Sequence, residues 1–221
     1  MATGERTDGR QWQLVVFDFD GTLADSFPWF TEVLTDVARR WRFREVAQDE
    51  HSVLRQLDAQ DVLRRLGVPG WKVPLIAADL RRRMGRDIER IRLFDGVDQL
   101  LERLVENGLR PAIASSNAAA NVEVVLGPHL CRLVIDRECG AGIAGKANRL
   151  RRLLRRHRVS PTQAIYIGDE LRDIDAARRV GVTAAAVGWG YNDLAALRRR
   201  GPDLLFRDLA EIGDTLLGCG P

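Results

Sequence analysis

The chain has 221 residues, with 45% hydrophobic and 29% charged side chains and a formal net charge of +3, the balance of a globular protein and not of a disordered one. That length allows one domain, or one with an insertion, around a sizeable core. Cys131, Cys139 and Cys219 are odd in number and lack a C-x-x-C spacing, which argues against a disulfide framework or a zinc site and for a reducing compartment.

Residues 1–11 are polar, with no apolar run of the signal-peptide kind, and read as a flexible N-terminus of a cytoplasmic protein without a membrane span. The first apolar run, residues 14–17, predicts a β-strand that closes on Asp18, Phe19, Asp20, Gly21 and Thr22. Side chains of a strand alternate with period 2, so both carboxylates face one way at its C-terminal end. Two like charges so close call for a shared proton or a divalent cation. A solvated strand end running into an Asp-Gly turn is the alternative for this segment alone.

Residues 27–93 contain no strand-like run. Val33, Leu34, Val37 and Ala38, then Leu54, Leu57, Val62 and Leu63, recur at helical intervals, and the segment reads as a helical insertion. Pro28 at its start and Phe94, Asp95 and Gly96 at its end are candidate hinges, and Trp29, Trp41 and Trp71 are expected to pack it on itself. Beyond it, short apolar runs at 111–114, 133–135, 164–167 and 182–187 predict strands. They alternate with helices marked by Val97, Leu100, Leu101 and Leu104, stopped at Asn107 and Gly108, and by Leu150, Leu153 and Leu154. That alternation is the pattern of βαβ units in a parallel sheet.

Ser115, Ser116 and Asn117 follow one predicted strand, where hydroxyls and backbone N–H groups can hold phosphate oxygens. Arginine outnumbers lysine 32 to two, so Lys146 hints that a compact ammonium is needed there. Residues 140–147 also fit a dinucleotide fingerprint and a P-loop, but the first belongs to an initial βα turn and the second lacks its Ser or Thr, replaced by Ala147. Asp169 closes another strand, and Asp173 returns one helical turn later on the same side, a metal-ligand arrangement or an acidic first turn facing the helix dipole. The arginine runs at 81–83, 149–158 and 198–200 could suggest nucleic acid, but the leucine stripe makes the middle run a solvated helix face, and no nucleic-acid partner is expected.

In this order, D-x-D-G-T at 18–22, Ser115, Lys146 and G-D-x-x-x-D at 168–173 resemble the four motifs of the haloacid dehalogenase superfamily. Residues 23–28, 94–97, 189–192 and 202–203 are similar to its phosphoglycolate phosphatase-like branch. The resemblance implies an α/β fold: a Rossmann-like parallel sheet in a three-layer α/β/α core at 12–26 and 94–221, with an α-helical cap at 27–93. It implies a phosphomonoester hydrolase with Asp18 as nucleophile and Asp20 as acid-base. Mg²⁺ would be held by Asp18, the Asp20 carbonyl and Asp169, with Asp173 orienting them, and phosphate by Ser115, Ser116 and Lys146. The expected partner is a small phosphorylated substrate, phosphoglycolate first. A sugar-phosphate mutase and a non-catalytic phosphate binder are the alternatives.

Overall fold

The computed structural model describes residues 12–140 and 145–218. The N-terminal residues 1–11, Cys219 and positions 141–144 of the glycine-rich stretch lie outside them.

Strand β1 (Leu14–Phe17) is fully buried and lies at the centre of a parallel sheet. On one side it pairs with β4 (Arg110–Ala114), which pairs with β5 (Asp136–Glu138). On the other side follow β6 (Ala164–Gly168), β7 (Thr183–Val187) and β8 (Leu204–Phe206). The remaining strands, β2 (Ala24–Asp25) and β3 (Arg92–Leu93), form a separate antiparallel pair. The chain reverses its direction of travel across the sheet at β1, so a crevice opens at the carboxyl end of β1, between β4 and β6.

Alternation along the strands divides the core in two. Val15, Phe17, Ile113, Ile165 and Ile167 face helices α5 (Val97–Glu106), α6 (Ala119–Leu133) and α10 (Leu209–Leu217). Leu14, Val16, Ala112, Tyr166 and Ala184 face α7 (Lys146–His157), α8 (Leu171–Val180) and α9 (Leu194–Arg200). This is the three-layer α/β/α arrangement that period 2 demands of a sheet covered on both faces. Helix α5 buries Val97, Leu100, Leu101 and Leu104 and ends at Asn107, with Gly108 in the left-handed region, as its leucine stripe and Asn-Gly stop predict.

One strand expectation needs correction, and three short strands were not expected. The apolar run at 133–135 is not a strand: α6 breaks at Gly127 and resumes through Pro128, Leu133 ends this second part three residues after the buried Leu130, and β5 starts at Asp136. As an edge strand it carries charge, and Asp136 and Glu138 are matched by α7, with Arg156 on both (2.5 and 2.6 Å) and Arg152 on Glu138 (2.8 Å). Arginines of the middle basic run thus pair within the protein. The two-residue strands β2 and β3 and the strand β8 were too short to leave a periodic signal.

Between β2 and β3 the chain forms α1 (Phe27–Trp41), α2 (His51–Leu54), α3 (Ala59–Arg65) and α4 (Val73–Arg86). The start and finish of this helical segment lie side by side, with Ala24 opposite Leu93 and Asp25 opposite Arg92. Trp29 is buried and donates to Asp87 (2.9 Å), and Trp41 donates to Asp79 (3.1 Å). Trp71 departs from expectation: it is 69% exposed, with the Lys72 ammonium over its ring. Among the described residues, no helix is long and apolar enough to cross a membrane.

Candidate active site

At the end of β1 the Asp18 amide donates to the Ile167 carbonyl (2.8 Å), keeping the chain in register with β6 for one more residue. The turn that follows is tight, with the Gly21 amide on the Ala24 carbonyl (2.9 Å) and Gly21 at φ 77°, a conformation glycine adopts without strain. Asp18 is buried, and Asp20 is half-buried on the rim; both line a single cavity that opens between the sheet edge and the helical segment.

The two carboxylates differ in environment. Asp18 Oδ2 accepts from Lys146 Nζ at 2.5 Å, and its Oδ1 is buried without a hydrogen-bond partner. Asp20 Oδ1 accepts from Asn117 Nδ2 at 3.1 Å, and burial together with the Asp18 charge pushes its pKa up to about 7. One carboxylate is tied to a cation while the other is poised to carry a proton near neutrality, the separation of states from which acid-base pairs are built.

Lys146 opens α7 and is buried. Besides Asp18 it contacts Asp173, and Glu170 lies at 3.6 Å. Burial opposes its charge, but Asp173 and Asp18 prevail and raise its pKa. Asp173 also accepts from the Tyr166 hydroxyl (2.9 Å) and, through Oδ2, from the Glu170 amide (3.0 Å), the capping box that starts α8. Burial raises Asp173 to about 6, with Lys146 pulling the other way. Glu170 stays below the usual carboxylate range, because Arg172 and Lys146 outweigh its burial.

The residues anticipated from sequence are not all placed alike. Asp18, Lys146 and Asp173 meet in one buried cluster. Ser116 and Asn117 line the cavity, whereas the buried Ser115 turns its hydroxyl to accept from the Asn117 amide (3.1 Å). Asp169 is buried beside the cluster, but its oxygens accept from the Thr22 hydroxyl (2.8 Å) and the Tyr191 amide (2.7 Å), and burial raises its pKa well above the ordinary value. Glycines make that close approach possible: a Cβ at Gly21 or Gly190 would collide with the Asp169 carboxylate.

Glu170, Arg172, Asn192 and Arg55 were not anticipated. Asn192 bridges the core to the helical segment, donating to the Arg55 and Leu57 carbonyls (2.8 and 2.9 Å) while accepting from the Leu171 amide (2.9 Å). Arg55 answers with bonds to the Gly190 and Tyr191 carbonyls (2.7 and 3.2 Å).

Oxygen atoms of Asp18, Glu170 and Asp173 lie within 4.8 Å of one another. The Lys146 ammonium already pairs with all three, and the oxygen left without a partner is the buried Asp18 Oδ1, a hard anionic donor that suits a divalent cation such as Mg²⁺.

The family model of haloacid dehalogenase-like hydrolases matches residues 15–187. The chain belongs to this family. A phosphoglycolate phosphatase from Synechococcus elongatus is 33% identical over 201 residues, covering 90% of this chain and 95% of that protein. Among solved structures, one described as a predicted phosphatase from Clostridium acetobutylicum superposes with a TM-score of 0.79 at 18% identity, covering 94% of this chain and 99% of that one. CbbY from Rhodobacter sphaeroides, in complex with phosphate, superposes with a TM-score of 0.70 at 20% identity, covering 91% of this chain and 96% of that one. Both structures share the haloacid dehalogenase-like fold, and this chain is a hydrolase of that family.

Proposed function

We propose that this chain is a Mg²⁺-dependent phosphomonoester hydrolase working through an aspartyl-phosphate. An oxygen of Asp18 attacks phosphorus in line, the bond from phosphorus to the ester oxygen breaks, and the departing alkoxide takes the proton of Asp20. Asp20, now a carboxylate, removes a proton from water as that water attacks phosphorus. The bond to Asp18 breaks, releasing inorganic phosphate and restoring both residues. Lys146 fixes the Asp18 carboxylate and offsets phosphoryl charge, and the hydroxyls of Ser115 and Ser116 donate to the phosphoryl oxygens. Mg²⁺ would be held by Asp18 with the Asp20 carbonyl and the acidic residues gathered beside it, Asp169, Glu170 and Asp173. When bound it neutralises charge on the phosphoryl oxygens.

The observation that carries this reading is the contrast between Asp18, paired to Lys146, and Asp20, raised to about 7 on the same cavity. We assign residues 12–26 and 94–221 to the core and 27–93 to a cap that covers the site. The side-by-side strands β2 and β3 and the Asn192 and Arg55 bonds support that division. The free thiols of Cys131 and Cys139 suit a cytoplasmic location. The likeness to a phosphoglycolate phosphatase makes phosphoglycolate the reference substrate.

The test is turnover of p-nitrophenyl phosphate in Mg²⁺ buffer. Chelation is expected to lower the rate by about 10²-fold or more, and added Mg²⁺ to restore it. A rate indifferent to chelator overturns the metal dependence, and no turnover of any monoester overturns the activity. The pH dependence has a definite sign. Protonated Asp20 is the acid of the first step, so kcat/KM for an alkyl ester falls above a pH of about 7. That alkaline limb is expected to vanish in Asp20→Asn, and a limb unchanged in the variant assigns the acid elsewhere.

A further inference from the structure

The cavity that Asp18 and Asp20 line has a volume of about 720 Å³ and runs from the sheet edge into the helical segment. It is walled by aliphatic side chains, among them Leu34, Leu54, Leu63, Leu66 and Ile76, and by aromatic ones. Tyr191 packs there against Phe27 and Phe30, with ring centroids at 5.2 and 5.3 Å.

The cations on the cavity are mostly committed. Arg55 is held by the Gly190 and Tyr191 carbonyls and lies over the Phe27 ring, and Arg172 is paired with Glu170. Arg81 lines the cavity with no ion-pair partner among the described residues, but its carbonyl accepts from Asn121, which also bonds Asn117. That ties the Arg81 backbone to Asn121, beside Asn117 at the core end of the cavity. Among the described residues, Arg81 and His51 are the basic groups lining the cavity without an ion-pair or carbonyl partner, against a lining that is otherwise mostly aliphatic and aromatic.

A glycolate leaving group has five non-hydrogen atoms and a carboxylate. It would leave most of this volume unfilled and bring a charge toward an apolar wall, where an unpaired anion is costly. A cavity of this size is ordinarily matched to a much larger ligand with few polar contacts.

We propose that the ester's organic part is bulky and apolar, alkyl or aryl, and that the aliphatic chamber of the helical segment receives it while phosphorus sits at Asp18. This rests on the phosphatase reading above and names its substrate class. Each methylene buried there is expected to raise kcat/KM by about fourfold.

The experiment has a kinetic and a binding arm. The purified chain in Mg²⁺ is given methyl, butyl, octyl, phenyl and naphthyl phosphates beside phosphoglycolate. Calorimetry measures methyl-, octyl- and naphthylphosphonate on Asp18→Asn, which needs no turnover. Octyl or naphthyl phosphate is expected to exceed phosphoglycolate in kcat/KM by about 10²-fold or more, and the phosphonates to bind more tightly with size. The alkyl and aryl arms show which shape the chamber prefers. Filling the chamber with Ala77→Phe, or polarising it with Leu63→Asn, both positions on the cavity wall, is expected to lower the octyl-to-methyl selectivity ratio at least tenfold; two variants guard against one failing to fold. Phosphoglycolate turned over faster than every apolar ester, with flat phosphonate affinity, overturns the proposal and leaves the phosphatase reading standing. Phosphonate affinity that climbs with size while no ester is hydrolysed supports the chamber and overturns the phosphatase reading.

Discussion

Asp18→Asn is expected to abolish turnover, by about 10⁴-fold or more, with the fold retained. The amide has the carboxylate's shape, so the buried position stays filled, but it lacks the anionic oxygen that attacks phosphorus. The substitution also removes one of three negative charges around Lys146, and Asp173 and Glu170 remain to hold that ammonium. The melting temperature should therefore stay within a few degrees of the parent while a covalent phosphoryl label, trapped by acid quench in the parent, disappears. Residual activity within tenfold of the parent would reject Asp18 as nucleophile, and loss of activity with loss of folded structure would make its role structural. The contrast with Asp20 is informative, because an acid is dispensable to the extent that the leaving group is stable as an anion, whereas a nucleophile is not.

Much of this architecture was legible because its determinants are local. The run at 14–17 ends in Asp18 and Asp20 within one strand and turn, and the stripe of α5 ends in its own Asn-Gly stop. Local signals also misled where a neighbour in space decided the outcome. Residues 133–135 look like a strand, but Leu133 closes the part of α6 that follows the break at Gly127, three residues after Leu130, and the true strand β5 hides behind charges that only the arginines of α7 explain. In the same way, D-x-D-G-T and G-D-x-x-x-D could be read as carboxylates at strand ends, but which carboxylate meets Lys146 is set across the sheet. Glu170 joins the cluster, while Asp169, one residue earlier, faces the Thr22 and Tyr191 donors. The bonds from Asn192 and Arg55 join segments distant in sequence, and no spacing rule reaches that far.

Lys146→Met tests the electrostatics of the buried cluster through stability, a quantity separate from catalysis. The ammonium is buried and contacts three carboxylates, so its removal leaves Asp18, Glu170 and Asp173 with Arg172 as the remaining close cation. Breaking a buried ion pair from one side costs about 3–5 kcal/mol, chiefly because the orphaned charge stays out of water. For a domain of this length that is a fall in Tm of about 6–20 °C in chelator. Lys146→Arg should recover little, since a planar fork cannot take the place of a compact ammonium among three carboxylates. Mg²⁺ is expected to raise the Tm of the Met variant more than that of the parent, because a cation brought to the cluster replaces the missing charge. The pH dependence follows in sign. Asp173 is already held above its unfolded-chain value by burial, and without Lys146 it loses the cation that favours its charged form, so its folded-state pKa rises further. A carboxyl group raised in this way favours the folded state when protonated, so the variant's deficit is full at neutral pH and shrinks as pH falls through the raised values. A deficit that is constant between pH 7 and 5, or a Tm within about 2 °C of the parent in chelator, would mean that Lys146 does not neutralise these carboxylates.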